Sequence, residues 1–390
     1  MVTIAQIEEL QYDGEADGDS LTVMGTVSDD TIVHTPGTGN QEGTFRVNDL
    51  LALSYQNLGS GASLTADGAG GTDTLVYNGT NTNDSFTIGS AGQVNLNSRL
   101  VLNTNSVEVL TLEGLNGDDT FTVVPAISGS VYDTINLNGG GQASVGGDRV
   151  VLEGTGDDDD IIVDGPAIHL FGSTKTIQTN GIESISLDAL GGTDRITYNG
   201  VSGVTENIAV SGSSTAGSGQ ISVPGVTLII FSSVDGIVVN GNPPTATETD
   251  TLTFAGTPAV DRFEIDLAAA GTGADPVLTL NNNGTTLLTL ENYTNFNTLR
   301  VLGLDSADTF NVYTADIGDG RNLFVDGGQP TGKKKATDNL FIFYTPSRPT
   351  IIQSAATQDP DAGIVTLEYD TARFVVQYDD VEQVPPPKRQ

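Results

Sequence analysis

The 390-residue chain has no cysteine and no tryptophan, only two histidines, and 15 lysines and arginines against 50 aspartates and glutamates. Without cysteine there are no disulfides, no thiolate metal ligands and no thiol redox chemistry. A formal net charge of −35 argues against nucleic acid and anionic membranes as partners, because both are polyanions that need Lys and Arg. No apolar run approaches the ~20 residues of a membrane-spanning helix. The opening "MVTIAQIEEL" has neither a basic stretch nor an apolar one, so it reads as carrying no signal peptide. Helical periodicity is nearly missing; the one candidate, "DLAAAGTGAD" from Asp266 to Asp275, is short and broken by glycine.

What is present is glycine, aspartate and short strands. Charged residues make up only 17% and apolar residues 37%, which is not the composition of a disordered acidic tail. Runs such as "TLVYNG", "SFTIG", "RVVLEG", "RITYNG" and "TLTFAG" alternate polar and apolar residues. They are rich in Thr, Val, Ile, Phe and Tyr, and Gly, Asn and Asp separate them, as expected of strands. Their spacing repeats. Asp73 is followed by Leu75, Tyr77 and Gly79, then by Asp84, Phe86 and Ile88. Asp148 to Asp159, Asp250 to Asp261 and Asp19 to Asp30 follow the same eleven-residue step. A second line starts on Glu with that step: Glu8 to Asp19, Glu108 to Asp119 and Glu183 to Asp194, with Asn297 to Asp308 as a variant.

A strand of about five residues plus a corner accounts for such a step, and two or three steps make one coil of a parallel β-solenoid. In D-x-h-x-h-x-G the aspartate and both apolar residues share parity, so the apolar pair fills the interior. Asp sits at the corner as an acceptor for backbone N–H groups, and Gly opens the next corner with φ > 0. Insertions such as "TPGTGNQEGT" and "VPAISGSVYDT" are expected to loop out. The fold expected is all-β, a right-handed parallel β-solenoid (β-helix). A string of β-sandwich modules and a six- or seven-bladed propeller are the alternatives. Residues 1–241 read as one repeat region, 242–384 as a second continuous with it across the prolines Pro243 and Pro244, and 385–390 as a proline-rich linker. The Ile-Glu signature near the start and the Val-Glu signature near the end read as a segment of a longer array.

"GLNGDDTFT" (Gly114 to Thr122) resembles the calcium-binding nonapeptide G-G-x-G-x-D-x-U-x of repeats-in-toxin proteins through Gly114, Gly117, Asp119 and Phe121. Gly68, Gly71, Asp73 and Leu75 match likewise, whereas Leu115, Ala69 and Leu190 stand where the second glycine belongs. The looser pattern is also similar to acidic Gly/Asp-rich repeat modules of giant secreted proteins of environmental bacteria. The first resemblance implies calcium held by Asp119 and Asp73. Calcium wants six to eight oxygens, and the run Asp157, Asp158, Asp159 and Asp160 offers carboxylates together. Against these metal roles stands a plain one: Asp and Gly are the favoured corner residues.

Chemistry of other kinds finds little support. The basic residues are scattered apart from Lys333 to Lys335, aromatic platforms for sugars are few, and His34 and His169 are far apart and read as packed or surface side chains. Two stacked carboxylates keep a polysaccharide hydrolase open as a reading. The expectation is a non-enzymatic extracellular or cell-surface repeat segment serving as stalk, matrix or adhesive scaffold. Its expected partners are neighbouring repeats or copies, with glycans as possible ligands, and no membrane insertion. A polysaccharide-binding or polysaccharide-degrading β-helix protein is the alternative.

Overall fold

The computed structural model describes residues 10–124, 131–144, 146–170, 175–241, 249–267, 276–314, 322–328, 337–344, 349–355, 361–368 and 373–389. The expected prolines of the interdomain break, the lysine triplet, Glu8 and most of the "VPAISGSVYDT" insertion lie outside them. Every regular element among the described residues is a strand, and the chain is a parallel-rich β-solenoid. It divides into two compact units, Met1–Thr155 with Pro166–Leu187, and Gly156–Gly165 with Asp188–Gln390.

The eleven-residue step is the passage from one sheet to the sheet facing it. In the first unit Asp73 precedes strand Thr74–Asn78 of one sheet, and Asp84 precedes strand Ser85–Ile88 of the other. A coil therefore has two strands, and the shortest parallel return to the same sheet among the described residues takes 24 residues, from Thr298 to Asn322. Successive coils pair in parallel and in register. Thr74–Asn78 lies between Thr31–Pro36 and Val109–Glu113, and Thr120–Val123 lies between Ser85–Ile88 and Arg149–Glu153. The second unit repeats this with Thr251–Ala255, Thr298–Leu302 and Asn322–Asp326 in one sheet and with Asp261–Leu267, Thr309–Thr314 and Asn339–Tyr344 in the other.

The parallel stacks are punctuated by antiparallel three-strand meanders, which strand periodicity does not reveal. Thr31–Pro36, Gly43–Val47 and Leu53–Gln56 form one, so "TPGTGNQEGT" is the heart of a hairpin and not a plain loop. Ser85–Ile88, Val94–Leu96 and Leu102–Asn105 form another. The second unit contains meanders at Asn207–Ser232, Asp261–Thr294 and Thr350–Asp379. Asp266 and Leu267 end a strand, so that part of the helix candidate is extended chain.

The core is the layer between facing sheets. Leu75, Tyr77, Phe86, Ile88, Leu112, Phe121, Val123, Val150, Leu152, Ile161, Val163, Ile196, Leu252, Phe254, Phe263 and Phe310 are all buried, as the register requires. Rings stack from coil to coil, Phe86 on Phe121 at 5.3 Å and Phe263 on Phe310 at 4.9 Å. They also meet edge-on across the core, Tyr77 with Phe86 at 5.7 Å. The outward Thr74, Thr87 and Thr122 are half-buried and not fully exposed, because neighbouring strands flank them on both sides; Arg149 is exposed.

The glycine of the repeat is needed for space, not for its φ. Gly25, Gly79 and Gly256 do not have positive φ. A Cβ on Gly79 would lie 2.6 Å from Asp84 Oδ2, and one on Gly256 would lie 2.6 Å from Asp261 Oδ2. Left-handed backbone falls instead on the residue that follows Gly68, Gly114 and Gly303, namely Ala69, Leu115 and Leu304 at φ 72°, 73° and 76°. These include positions where the toxin nonapeptide has its second glycine. Exposed leucines thus hold a conformation that costs an L-residue about 1–2 kcal/mol.

Two substitutions separate these constraints. Gly114→Ala is expected to destabilise severely in urea unfolding, because its Cβ would overlap Asp119 Oδ2 and the Gly139 carbonyl. Leu115→Gly should stay within about 1 kcal/mol of the parent, since relief of left-handed strain offsets the greater entropy of the unfolded chain. Phe121→Ala should cost about 3–5 kcal/mol.

Candidate functional site: a buried carboxylate ladder

The repeated aspartates are stacked one above another inside the corners. Asp84 N–H donates to Asp119 Oδ1 at 2.7 Å, Asp119 N–H to Asp148 Oδ1 at 2.7 Å, and Asp148 N–H to Glu183 Oε2 at 2.5 Å. The backbone answers in the other direction, with Thr120 N–H donating to the Asp84 carbonyl and Arg149 N–H to the Asp119 carbonyl. Each corner therefore links two coils twice. Asp30 to Asp73 to Glu108 forms a second ladder in the first unit. The second unit holds Asp159 to Asp194 to Asp235, Glu206 to Asp250 to Asn297, and Asp261 to Asp308 to Asp338 to Glu382. In every case the later residue in sequence is the acceptor.

Ladders begin and end with recognisable chemistry. The first aspartate has no earlier coil to donate to it. Asn48 Nδ2 and Asn97 Nδ2, from the meanders, supply that donor to Asp30 and Asp84 at 2.5 and 2.6 Å, and Asn282 does so for Asp261 at 3.2 Å. The other oxygen is bound by a threonine four residues earlier: Thr26, Thr80 and Thr257 each donate both N–H and Oγ1–H. The motif is G-T-x-x-x-D in "GTVSDD", "GTNTND" and "GTPAVD". It was legible in the sequence and is absent from the expectations above. Several ladders end where a buried Val or Ile precedes a longer Glu, at Val107–Glu108, Ile182–Glu183 and Val381–Glu382. The Val/Ile-Glu signature thus marks the last acceptor of a ladder.

Interior aspartates lack the threonine. Asp73, Asp119, Asp148, Asp194, Asp308 and Asp338 are buried, and in each Oδ2 has no hydrogen-bond partner. Burial is the main force on their acidity; the donated N–H opposes it, and neighbouring ladder carboxylates add to it. Asp119 is pushed up to about 7, Asp308 to about 8 and Asp338 to about 6. Asp73, Asp148 and Asp194 are raised for the same first cause. Asp30, held mainly by Thr26 N–H and its hydroxyl, is lowered. The Gly139 carbonyl borders the same space as Asp119 Oδ2. Protonating Oδ2 there replaces two facing acceptors with a donor and an acceptor.

The four-aspartate run separates into distinct roles. Asp157 and Asp158 are exposed, Asp159 is the buried ladder member, and Asp160 opens its strand facing outward with Arg195 Nη1 at 3.8 Å. Asp158 Oδ1 accepts Thr193 N–H at 2.8 Å. It is an outer acceptor one residue before the inner ladder; in the first unit Asp29 does the same with Thr72 N–H beside one ladder, and Asn83 with Asp118 N–H and Asp118 with Ala143 and Ser144 N–H beside the other. Asp119 and Asp73 lie in different ladders of the first unit, on facing sheets. Among the described residues no three His, Asp or Glu side chains form a group suited to a metal ion.

The histidines are structural. His34 is buried between Phe45 and Tyr77, its Nε2 is 2.9 Å from Tyr55 Oη, and burial pushes it down to about 3. His169 is half-buried beside Thr176 Oγ1 at 3.4 Å. A shallow groove of about 430 Å³ is lined by Asp261, Arg262, Glu264 and Asn281. Its carboxylates are occupied, Asp261 by Thr257 and Asn282, and Glu264 by Arg262, Asn311 and Tyr313. No protein-family model matches the chain, and no curated protein matches it significantly.

A carboxyl group whose folded pKa is raised stabilises the fold below its unfolded pKa, and that contribution is lost as pH rises through the folded value. Asp119 and Asp308 therefore make stability rise as pH falls from about 8.5 to 6.5, by about 2 kcal/mol together. Below that window the depressed His34 works the other way, since only the unfolded chain takes up its proton. Urea midpoints across pH should show this rise, and Asp308→Asn with Asp119→Asn should flatten it. Asp119→Ala should cost about 1–3 kcal/mol, because Asp84 N–H loses its buried acceptor.

Proposed function

We propose that this chain is a structural repeat segment of a bacterial secreted or cell-surface protein, a scaffold and not a catalyst. What supports this reading is that the repeated carboxylates, the most abundant chemistry in the sequence, are spent coil by coil on backbone N–H groups. A site that binds or cleaves a ligand needs groups left free to meet it. Here the equivalent residues do the same mechanical work in every coil. The excess of surface carboxylates keeps the segment soluble and disfavours polyanionic partners.

In this reading cations act on the acidic surface mainly by screening. Calcium and ionic-strength-matched sodium should raise the thermal midpoint alike. A calcium-selective rise that disappears in Asp157→Asn/Asp158→Asn would instead give the toxin-repeat resemblance a functional site. Incubation with neutral and acidic polysaccharides should give neither turnover nor saturable binding. Cleavage of any glycan, abolished by Glu264→Gln, would replace the scaffold reading with the β-helix enzyme.

A further inference from the structure

We infer that the Thr350–Ala355 edge is a docking strand for the first coil of a second copy of this chain, giving head-to-tail assembly. The inference rests on the scaffold reading and names its partner. The argument begins with the meanders. In four of them the opening strand pairs on its far side, in parallel, with the next coil. Thr31–Pro36 takes Thr74–Asn78, Ser85–Ile88 takes Thr120–Val123, Asn207–Gly212 takes Thr251–Ala255, and Asp261–Leu267 takes Thr309–Thr314. Thr350–Ala355 opens a meander of the same kind, whose closing strand Arg373–Asp379 pairs back onto Asn322–Asp326 as the rule requires. Among the described residues its far side pairs with nothing. Ile351 is 38% exposed and Ile352 48%.

The first coil of the first unit offers the complement. Among the described residues Ser20–Met24 pairs only with Ser63–Asp67, and Leu10–Asp13 only with Leu53–Gln56. The inward side chains Leu21 and Val23 are half-buried where their counterparts in later coils are closed off, and Met24 is 61% exposed. Both edge strands, "SLTVM" and "TIIQSA", are without charge in a chain of net charge −35. Edges that must stay unpaired usually carry Lys, Glu or Pro. The charged flanks match as well. Lys388 and Arg389, both exposed, form the outer strand of the sheet opposite Thr350–Ala355. Asp13, Glu15 and Asp17, all exposed, flank the free edge of Leu10–Asp13. Like-with-like stacking would bring basic onto basic or acidic onto acidic; head-to-tail stacking pairs them. A heterologous contact of this kind does not close on two copies and grows into a filament unless its rotation makes a ring.

The absence of native cysteine makes the test direct. Met24→Cys and Ile352→Cys chains are prepared separately, then mixed and oxidised. Disulfide-linked heterodimer should form in the mixture and exceed homodimer of either chain several-fold. Adding Lys388→Glu/Arg389→Glu to the Ile352→Cys chain should suppress it, and Asp13→Lys/Glu15→Lys/Asp17→Lys on the Met24→Cys chain should restore it. Sedimentation of the unmodified chain should show concentration-dependent growth that Ile352→Lys abolishes at unchanged thermal midpoint. No heterodimer, equal homodimer from either single variant, or an unmodified chain that stays monomeric overturns the docking. A monomer without glycan turnover defeats the docking alone, whereas glycan turnover defeats the scaffold reading whatever the assembly state.

Discussion

The structure depends on one bond, a side-chain carboxylate accepting the peptide N–H of the corresponding residue one coil earlier. A parallel β-coil holds its strands by backbone ladders, but at the corner the chain turns from one sheet to the next and the ladder is interrupted. A buried peptide N–H there must find another acceptor or cost the fold a desolvated donor. Aspartate is short enough to stay inside the corner and still reach the next coil. Most of these carboxylates have a glycine beside them, whose missing Cβ leaves them room; before Asp194 the equivalent position is Ala189. The pairing of Gly with Asp five residues later, as at Gly79 and Asp84 or Gly256 and Asp261, is thus one steric unit.

The same arrangement carries an electrostatic cost. Stacking carboxylates out of water raises their affinity for protons, most at Asp308 and Asp119, where burial dominates and ladder neighbours add to it. The chain limits that cost at the first member of a ladder, where threonine and asparagine satisfy both oxygens of Asp30 and Asp84. At the last member of three of the five ladders it uses a longer Glu behind a buried Val or Ile. Six interior members, Asp73, Asp119, Asp148, Asp194, Asp308 and Asp338, are left with one unpartnered oxygen each. Ladders of only three or four members keep the stacks of buried acids short.

Much of this was legible in the sequence. The D-x-h-x-h-x-G parity placed Leu75, Tyr77, Phe86 and Phe121 in the core, because strand periodicity is a local property that tertiary context did not override here. The eleven-residue step located most of the corner aspartates but not Asp235 or Asp338. The meanders were not legible, since an inserted pair of strands such as Gly43–Val47 and Leu53–Gln56 has the same alternation as a coil strand. The role of glycine was misread for a related reason: a sequence shows that Gly is required but not whether backbone angle or space requires it. The aspartate run at Asp157–Asp160 illustrates the limit for sites. Four neighbouring carboxylates suggest convergence, but only Asp159 is buried, and two of the residues meet the next coil in opposite senses: Asp158 Oδ1 accepts Thr193 N–H, whereas Asp159 donates its own N–H to Asp194 Oδ1.

The claim that these carboxylates hold coil to coil is tested most directly by amide hydrogen exchange on the Asp148→Ala variant. That change removes the acceptor of the Asp119 N–H and leaves the paired strands on either side intact. The account predicts that exchange at the Asp119 amide speeds up by about one to two orders of magnitude, the equivalent of a lost buried hydrogen bond. Amides in the middle of strands Thr120–Val123 and Arg149–Glu153 should keep most of their protection. An Asp119 amide as protected in Asp148→Ala as in the parent would contradict the account, since the ladder bond would then contribute nothing to holding the corner closed.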